Sequence, residues 1–231
     1  MSGPKPAGGD ITTKRALVAP LFPYHEFISR TAWTARWCRA VKQTDCPRFG
    51  TPAELYLYLQ REFIKDSPID YLEFGVASGI SMRAWSGMNR QPASRLMGFD
   101  SFLGLPEDWN RTSKKGTFNR NGMPPEIPDS RIKFHVGWFQ DTVPGFLASY
   151  SPANRVVIHN DSDLYSSTLY TLTMLDRFIS PETIVIFDEF NDVLHEYRAL
   201  VDYSTAYRKT FRIIGATQRF VQAAVVFSDQ S

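Results

Sequence analysis

Tyr71-Leu72-Glu73-Phe74-Gly75-Val76-Ala77-Ser78-Gly79 decides how this chain is read. An apolar strand delivers a carboxylate as it stops, a turn with two glycines follows, and helical patterning runs from about 78 to 88. Backbone N–H groups of such a turn can approach a ligand closely, and the start of the helix favours negative charge. Three further apolar stretches also end on acids: Met97-Gly98-Phe99-Asp100, Val157-Ile158-His159-Asn160-Asp161 and Val185-Ile186-Phe187-Asp188-Glu189. Strand-like and helix-like segments alternate between them, which implies parallel strands. In an open α/β sheet, ligands bind beyond the carboxyl ends of the strands. The acids are therefore expected to converge in space.

Working outward, strands are predicted at 70–75, 95–100, 132–136, 155–161 and 183–188, with helices near 143–150, 166–178 and 194–208. Two last apolar runs, 211–216 and 221–227, are close enough to pair as a hairpin. Upstream, Phe27, Trp33, Trp37 and Val41 recur mostly at four-residue spacing, as on one helix face. Thr51 before Pro52 is a plausible cap for a helix over 52–65. The stretch 101–130, rich in Gly and Pro, reads as a long loop forming the wall or lid of a pocket. The expected organisation is a disordered tail over 1–10 and a single domain over 11–231. That domain divides into a helical lid or extension, 11–66, and a Rossmann-like core, 67–231.

A net charge of +2 gives no electrostatic case for nucleic acid or a membrane surface. No apolar run approaches the roughly 18 to 20 residues that span a bilayer. Cys38 and Cys46 form no C-x-x-C pair and lack His partners at metal spacing, so reduced thiols and a cytoplasmic location are the plain expectation.

The chemistry is read from the strand ends. Gly75 and Gly79 do not reproduce the G-x-G-x-x-G dinucleotide fingerprint, and no phosphate-binding G-x-x-x-x-G-K-[ST] loop occurs. Asp100 ends the next strand 25 residues after Gly75, where an acid can accept hydrogen bonds from a ribose diol. Turn and acid in register indicate an adenosine-containing cofactor. Asp161, Asp188 and Glu189, crowded at neighbouring strand ends, would repel one another unless a cation neutralised them. Oxygen ligands alone favour Mg²⁺ over zinc. Asp163 is a candidate base or merely the cap of the helix beginning near 165. His159 is the competing base, or a residue of the sheet's packing.

In Glu73-Phe74-Gly75-Val76-Ala77-Ser78-Gly79, Gly98-Phe99-Asp100-Ser101-Phe102, Gly137-Trp138-Phe139, His159-Asn160-Asp161-Ser162-Asp163-Leu164-Tyr165 and Phe187-Asp188-Glu189-Phe190, the chain resembles class I S-adenosylmethionine-dependent methyltransferases. Within them it is similar to the macrocin O-methyltransferase (TylF-type) group. The resemblance implies a mostly parallel seven-stranded sheet with a C-terminal antiparallel hairpin and helices on both faces. It implies S-adenosylmethionine and Mg²⁺ as cofactors, a small-molecule hydroxyl as acceptor, with a sugar of a natural product or a catechol as the alternatives, and assembly into a homo-oligomer. A non-catalytic module that binds S-adenosylmethionine is the third reading. The cofactor residues so implied are Glu73, Gly75, Ala77, Ser78, Gly79, Asp100, Ser101, Trp138 and Asp161; the metal ligands are Asp161, Asp188 and Glu189; the catalytic group is Asp163 with Asp161 and His159. Glu189 stands where that family more often shows Asp, and Asn160 where an aliphatic residue is usual.

Overall fold

In a computed structural model that describes residues 24–229, one sheet of eight strands carries helices on both faces. The elements in chain order are α1 (His25–Lys42), β1 (Arg48–Phe49), α2 (Pro52–Leu59), β2 (Ile69–Phe74), α3 (Ile80–Met88), β3 (Arg95–Asp100) and β4 (Ile132–Val136). Then come α4 (Phe139–Ser149), β5 (Arg155–Asn160), α5 (Tyr165–Leu175), β6 (Ile184–Phe187), α6 (Glu196–Ala206), β7 (Lys209–Thr217) and β8 (Ala223–Asp229). The tail expected over 1–10 lies outside the described residues.

Strand order is β1-β7-β8-β6-β5-β2-β3-β4, with β8 antiparallel to both neighbours and every other pairing parallel. The mostly parallel sheet with its antiparallel C-terminal hairpin is as expected, and β1 adds an eighth strand at one edge. Two residues carry no alternation for a sequence to show, so β1 becomes visible only through its pairing with Ala216 and Thr217. Every residue of β2 and β6 is buried, as strands covered on both faces require, Asp70 and Glu73 of β2 included. The chain reverses its direction of winding at β2, which has β3 on one side and β5 on the other. The crevice above that reversal is where α/β sheets hold ligands.

Thr51 does cap α2: its side chain accepts from the Glu54 N–H while Glu54 reaches back to the Thr51 N–H, a reciprocal pair that contributes about 1 kcal/mol. A π-helical turn, Gln60–Ile64, then leads toward β2. Helix α4 begins four residues before the predicted start, because Pro144 lies inside it. A proline removes one helical hydrogen bond and masks the pattern, yet tertiary packing of Val143 and Leu147 holds the helix.

Two cores flank the sheet. Phe74, Phe99, Leu172, Phe187 and Tyr197 belong to one; Leu55, Tyr71, Trp85 and Ile186 belong to the other. Helix α1 places Trp33 edge-on to Tyr197 and Trp37 edge-on to Phe220, yet has no fully buried residue. Among the described residues no helix is long and apolar enough to cross a membrane.

Candidate functional site

A cavity of about 800 Å³ opens above the carboxyl ends of β2, β3, β5 and β6, within the usual range for small-molecule sites. Its wall includes Gly75, Ala77, Ser78, Asp100, Ser101, Trp138, Asp161, Asp163, Asp188 and Glu189. Glu73, Gly79 and His159 were expected in the same site but do not reach this wall. They stand immediately behind it.

Gly75 permits the close approach on which the wall depends. At φ +91°, an added Cβ would lie 1.8 Å from the Asp161 carbonyl oxygen, so no other residue fits between β2 and β5 here. The Asp161 N–H donates to the Phe74 carbonyl (2.9 Å), fixing the two strand ends together. Gly79, also at positive φ, faces Pro125 and Ile127 of the long loop, where an added Cβ would lie 2.8 Å from Pro125.

Asp100 is already heavily engaged. Its Oδ2 accepts the N–H groups of Val76 (2.9 Å) and Ala77 (2.8 Å), and its Oδ1 accepts that of Phe102 (2.7 Å). A carboxylate offers about four acceptor positions, so about one remains for a ligand hydroxyl. Asp100 therefore shapes the glycine turn as much as it presents a polar group.

Glu73 is fully buried. Ser81, on the cavity wall, donates to its Oε1, while Oε2 has no hydrogen-bond partner among the described residues. Burial pushes its carboxyl up to about 7, against the opposing pull of nearby His159 and the Ser81 hydroxyl. The same two causes, burial and neighbouring acids, act on the others. Asp161 lies well above the usual carboxylate range through burial and the charges of Asp188 and Glu73. Asp163 is raised to about 7 by burial, Glu189 and Asp188, and Glu189 to about 7 by burial, Asp188 and Asp192.

The geometry separates the two readings of Asp163. Leu164 holds the cap position of α5 with no side-chain cap bond, and the first helical N–H, of Tyr165, donates to His195 Nδ1 (3.2 Å). Asp163 is thus no cap. It sits at φ +61° with its carboxylate free of hydrogen bonds among the described residues, beside the cavity. Backbone strain of this kind collects at functional sites.

The metal set is rearranged relative to expectation. Ligand atoms of His159, Asp161 and Asp188 lie within 4.8 Å of one another, and Glu189 is outside that group. The Glu189 backbone N–H donates to buried Glu196 Oε2 (2.9 Å), while its carboxylate stays on the cavity wall. Asp188 Oδ1 accepts from Gln222 and stands 3.6 Å from His159 Nε2. Asn160, whose polar side chain invited a role in substrate contact or a solvent-facing strand end, has neither: it is fully buried and accepts the Thr171 hydroxyl (2.7 Å).

Four contributors escaped the sequence reading: Ser81, Glu196, Gln222 and Trp109. Ser81 could have been found from its place in the first turn after Gly79. Glu196 at the start of α6 and Gln222 just before β8 are buried polar residues, and their burial has no local sequence signal. Trp109 donates from Nε1 to Asp192 Oδ2 (2.9 Å) and helps to pin the long loop as a wall.

The cavity wall carries six carboxylates, Asp100, Glu107, Asp161, Asp163, Asp188 and Glu189, against one cation, Lys115. Such a surface attracts a positively charged ligand or ion and repels a pyrophosphate. The spare acceptor position at Asp100, the half-buried Trp138 indole and the surrounding acids fit a nucleoside with a cationic tail.

The chain is 32% identical over 157 residues to an 8-demethyl-8-(2,3-dimethoxy-alpha-L-rhamnosyl)-tetracenomycin-C 4'-O-methyltransferase of Streptomyces olivaceus, covering 57% of this chain and 58% of that enzyme. It is 30% identical over 162 residues to demethyldecarbamoylnovobiocin O-methyltransferase of Streptomyces niveus, covering 58% and 60%. The chain thus spans about three-fifths of the length of these curated relatives. A solved calicheamicin methyltransferase superposes with a TM-score of 0.61 at 20% identity, over 86% of this chain and 93% of that one, which shows a shared fold. A family model described as a methyltransferase domain matches residues 72–190, more than half of the 231 residues, and the chain belongs to that family.

Proposed function

We propose that this protein is an S-adenosylmethionine-dependent O-methyltransferase that acts, with help from a divalent cation such as Mg²⁺, on a hydroxyl of a small molecule, a sugar carried by a natural product. The single observation that carries the reading is the acidic cavity at the switch point of the sheet. There the glycine turn, Asp100 and Trp138 form one end of the wall and Asp161, Asp163 and Asp188 another part of it. The O-methyltransferases of S. olivaceus and S. niveus support the reaction class, and the rhamnosyl group in the first one's name supports a sugar acceptor. A nicotinamide dinucleotide is disfavoured by the same excess of negative charge.

The backbone from Gly75 to Ser78, the remaining acceptor position of Asp100 and the Trp138 ring would hold the cofactor, with Ser81 and Glu73 behind its charged tail. Bound there, S-adenosylmethionine supplies a methyl group on positively charged sulfur. Asp161 and Asp188 would hold the cation, which supplies positive charge that makes a nearby hydroxyl easier to deprotonate. Asp163, free of other partners, takes the hydroxyl proton. His159 is set behind the wall and is poorly placed for that task. Trp109, Leu105 and Phe118 of the long loop exclude water and present apolar surface to the acceptor.

The test is methyl transfer from isotopically labelled donor to a panel that contains a rhamnoside, a glycoside and a catechol. Transfer to a sugar hydroxyl is expected, abolished by EDTA and reduced about 10²–10⁴-fold in Asp163→Asn with donor affinity unchanged. Donor binding without transfer to any acceptor would leave only a binding module, and full turnover after EDTA would remove the cation.

A further inference from the structure

We infer that His159 is the third protein ligand of the cation, so that one imidazole and two carboxylates, Asp161 and Asp188, hold an ion of the Mn²⁺ or Co²⁺ class in preference to Mg²⁺. The inference rests on the divalent-cation part of the function proposed above, and adds His159 to Asp161 and Asp188 in the place where the sequence predicts Glu189.

His159 is fully buried on β5, and its two ring nitrogens are in unlike situations. Nδ1 meets the Tyr71 hydroxyl at 2.8 Å, and Tyr71 is itself fixed by packing against Trp85 at 5.3 Å. Nε2 has no hydrogen-bond partner among the described residues. A buried ring nitrogen left without a partner is costly, and this one stands in the same small group as the Asp161 and Asp188 carboxylates. Its 3.6 Å separation from Asp188 Oδ1 is too long for a hydrogen bond. Two donors that share one octahedral ion at about 2.1 Å stand about 3.0 Å apart, so the pair has to close by only about half an ångström to hold one.

A ligating imidazole characteristically has its other nitrogen tied to a polar group that sets tautomer and orientation. Tyr71 is such a group. The Tyr56 ring, 5.7 Å away, closes the apolar side of the imidazole, and Gln222 holds Asp188 from the other. Nitrogen in the ligand set shifts preference from Mg²⁺ toward later divalent ions.

The measurement is Mn²⁺ binding to the chelator-treated full chain, followed by pulsed EPR for coupling to an imidazole ¹⁴N and by competition with Mg²⁺. One Mn²⁺ with clear nitrogen coupling is expected, bound at least tenfold more tightly than Mg²⁺. In His159→Gln the coupling should vanish, Mn²⁺ affinity should fall at least tenfold, and the preference over Mg²⁺ should collapse. Tyr71→Phe, which keeps the ring, should retain the coupling with affinity lowered about threefold or more, and decides the matter if His159→Gln does not fold. Mn²⁺ bound without nitrogen coupling, or with coupling that survives His159→Gln, would overturn the His159 assignment and leave a carboxylate-only cation site standing. Absence of any Mn²⁺ or Mg²⁺ binding would instead remove the cation from the proposed function as well.

Discussion

Asp100 shows how one side chain can serve structure and chemistry together. Its three backbone N–H bonds hold the turn after β2 and the loop after β3 in register, and this leaves about one acceptor position for a ligand. In Asp100→Ala, donor affinity measured by calorimetry should fall at least tenfold and thermal stability should fall with it. A pure ribose contact would lower affinity alone. Unchanged affinity would contradict its place in the cofactor site. The sequence made Asp100, Asp161 and Asp188 legible because each follows a buried apolar strand whose end is unmistakable. It could not show what each acid touches: Glu73 and His159 read as site residues by position, yet the β2–β5 register pairs them behind the wall. His195 carries no local signal at all, since its role is to accept an N–H from Tyr165, thirty residues away.

Elements differ in how far local pattern determines them. The central strands and α2 follow from apolar runs and a capping box, whereas β1 and the first turn of α4 depend on partners distant in sequence. The stretch 101–131 lies between these cases. Its glycines and prolines announce a loop, but the bonds that make it a wall are long-range: Trp109 to Asp192, and the Ser166 hydroxyl to Glu107 (2.6 Å). Trp109→Phe keeps an aromatic ring, smaller than the indole, and removes the N–H donor. It should raise the acceptor's KM about three- to tenfold with donor affinity unchanged, as judged by steady-state kinetics beside calorimetry. An equal loss of donor affinity would show that the loop serves both ligands.

Across the whole molecule, the dominant electrostatic fact is a concentration of acids at one end of the sheet in a chain of net charge +2. Glu73, Asp163 and Glu189, each raised to about 7, hold protons in the folded state that the unfolded chain releases from about pH 4 upward. The native state thus binds more protons between about pH 4 and 7, and stability must decline as pH rises through that window. For the chelator-treated protein the melting temperature should drop by about 3 °C or more between about pH 5 and 8. A saturating divalent cation should restore it most at the upper end. A flat profile would show that burial and neighbouring charge do not raise these acids as described. The account depends on one convergence, of a nucleoside and a cation at the same sheet end, and a crystal structure with S-adenosylhomocysteine and Mn²⁺ tests it directly. The nucleoside should lie between the Gly75–Gly79 turn and Trp138, with the manganese anomalous peak within bonding distance of Asp161 and Asp188. A nucleoside bound elsewhere, or manganese remote from both carboxylates, would contradict it.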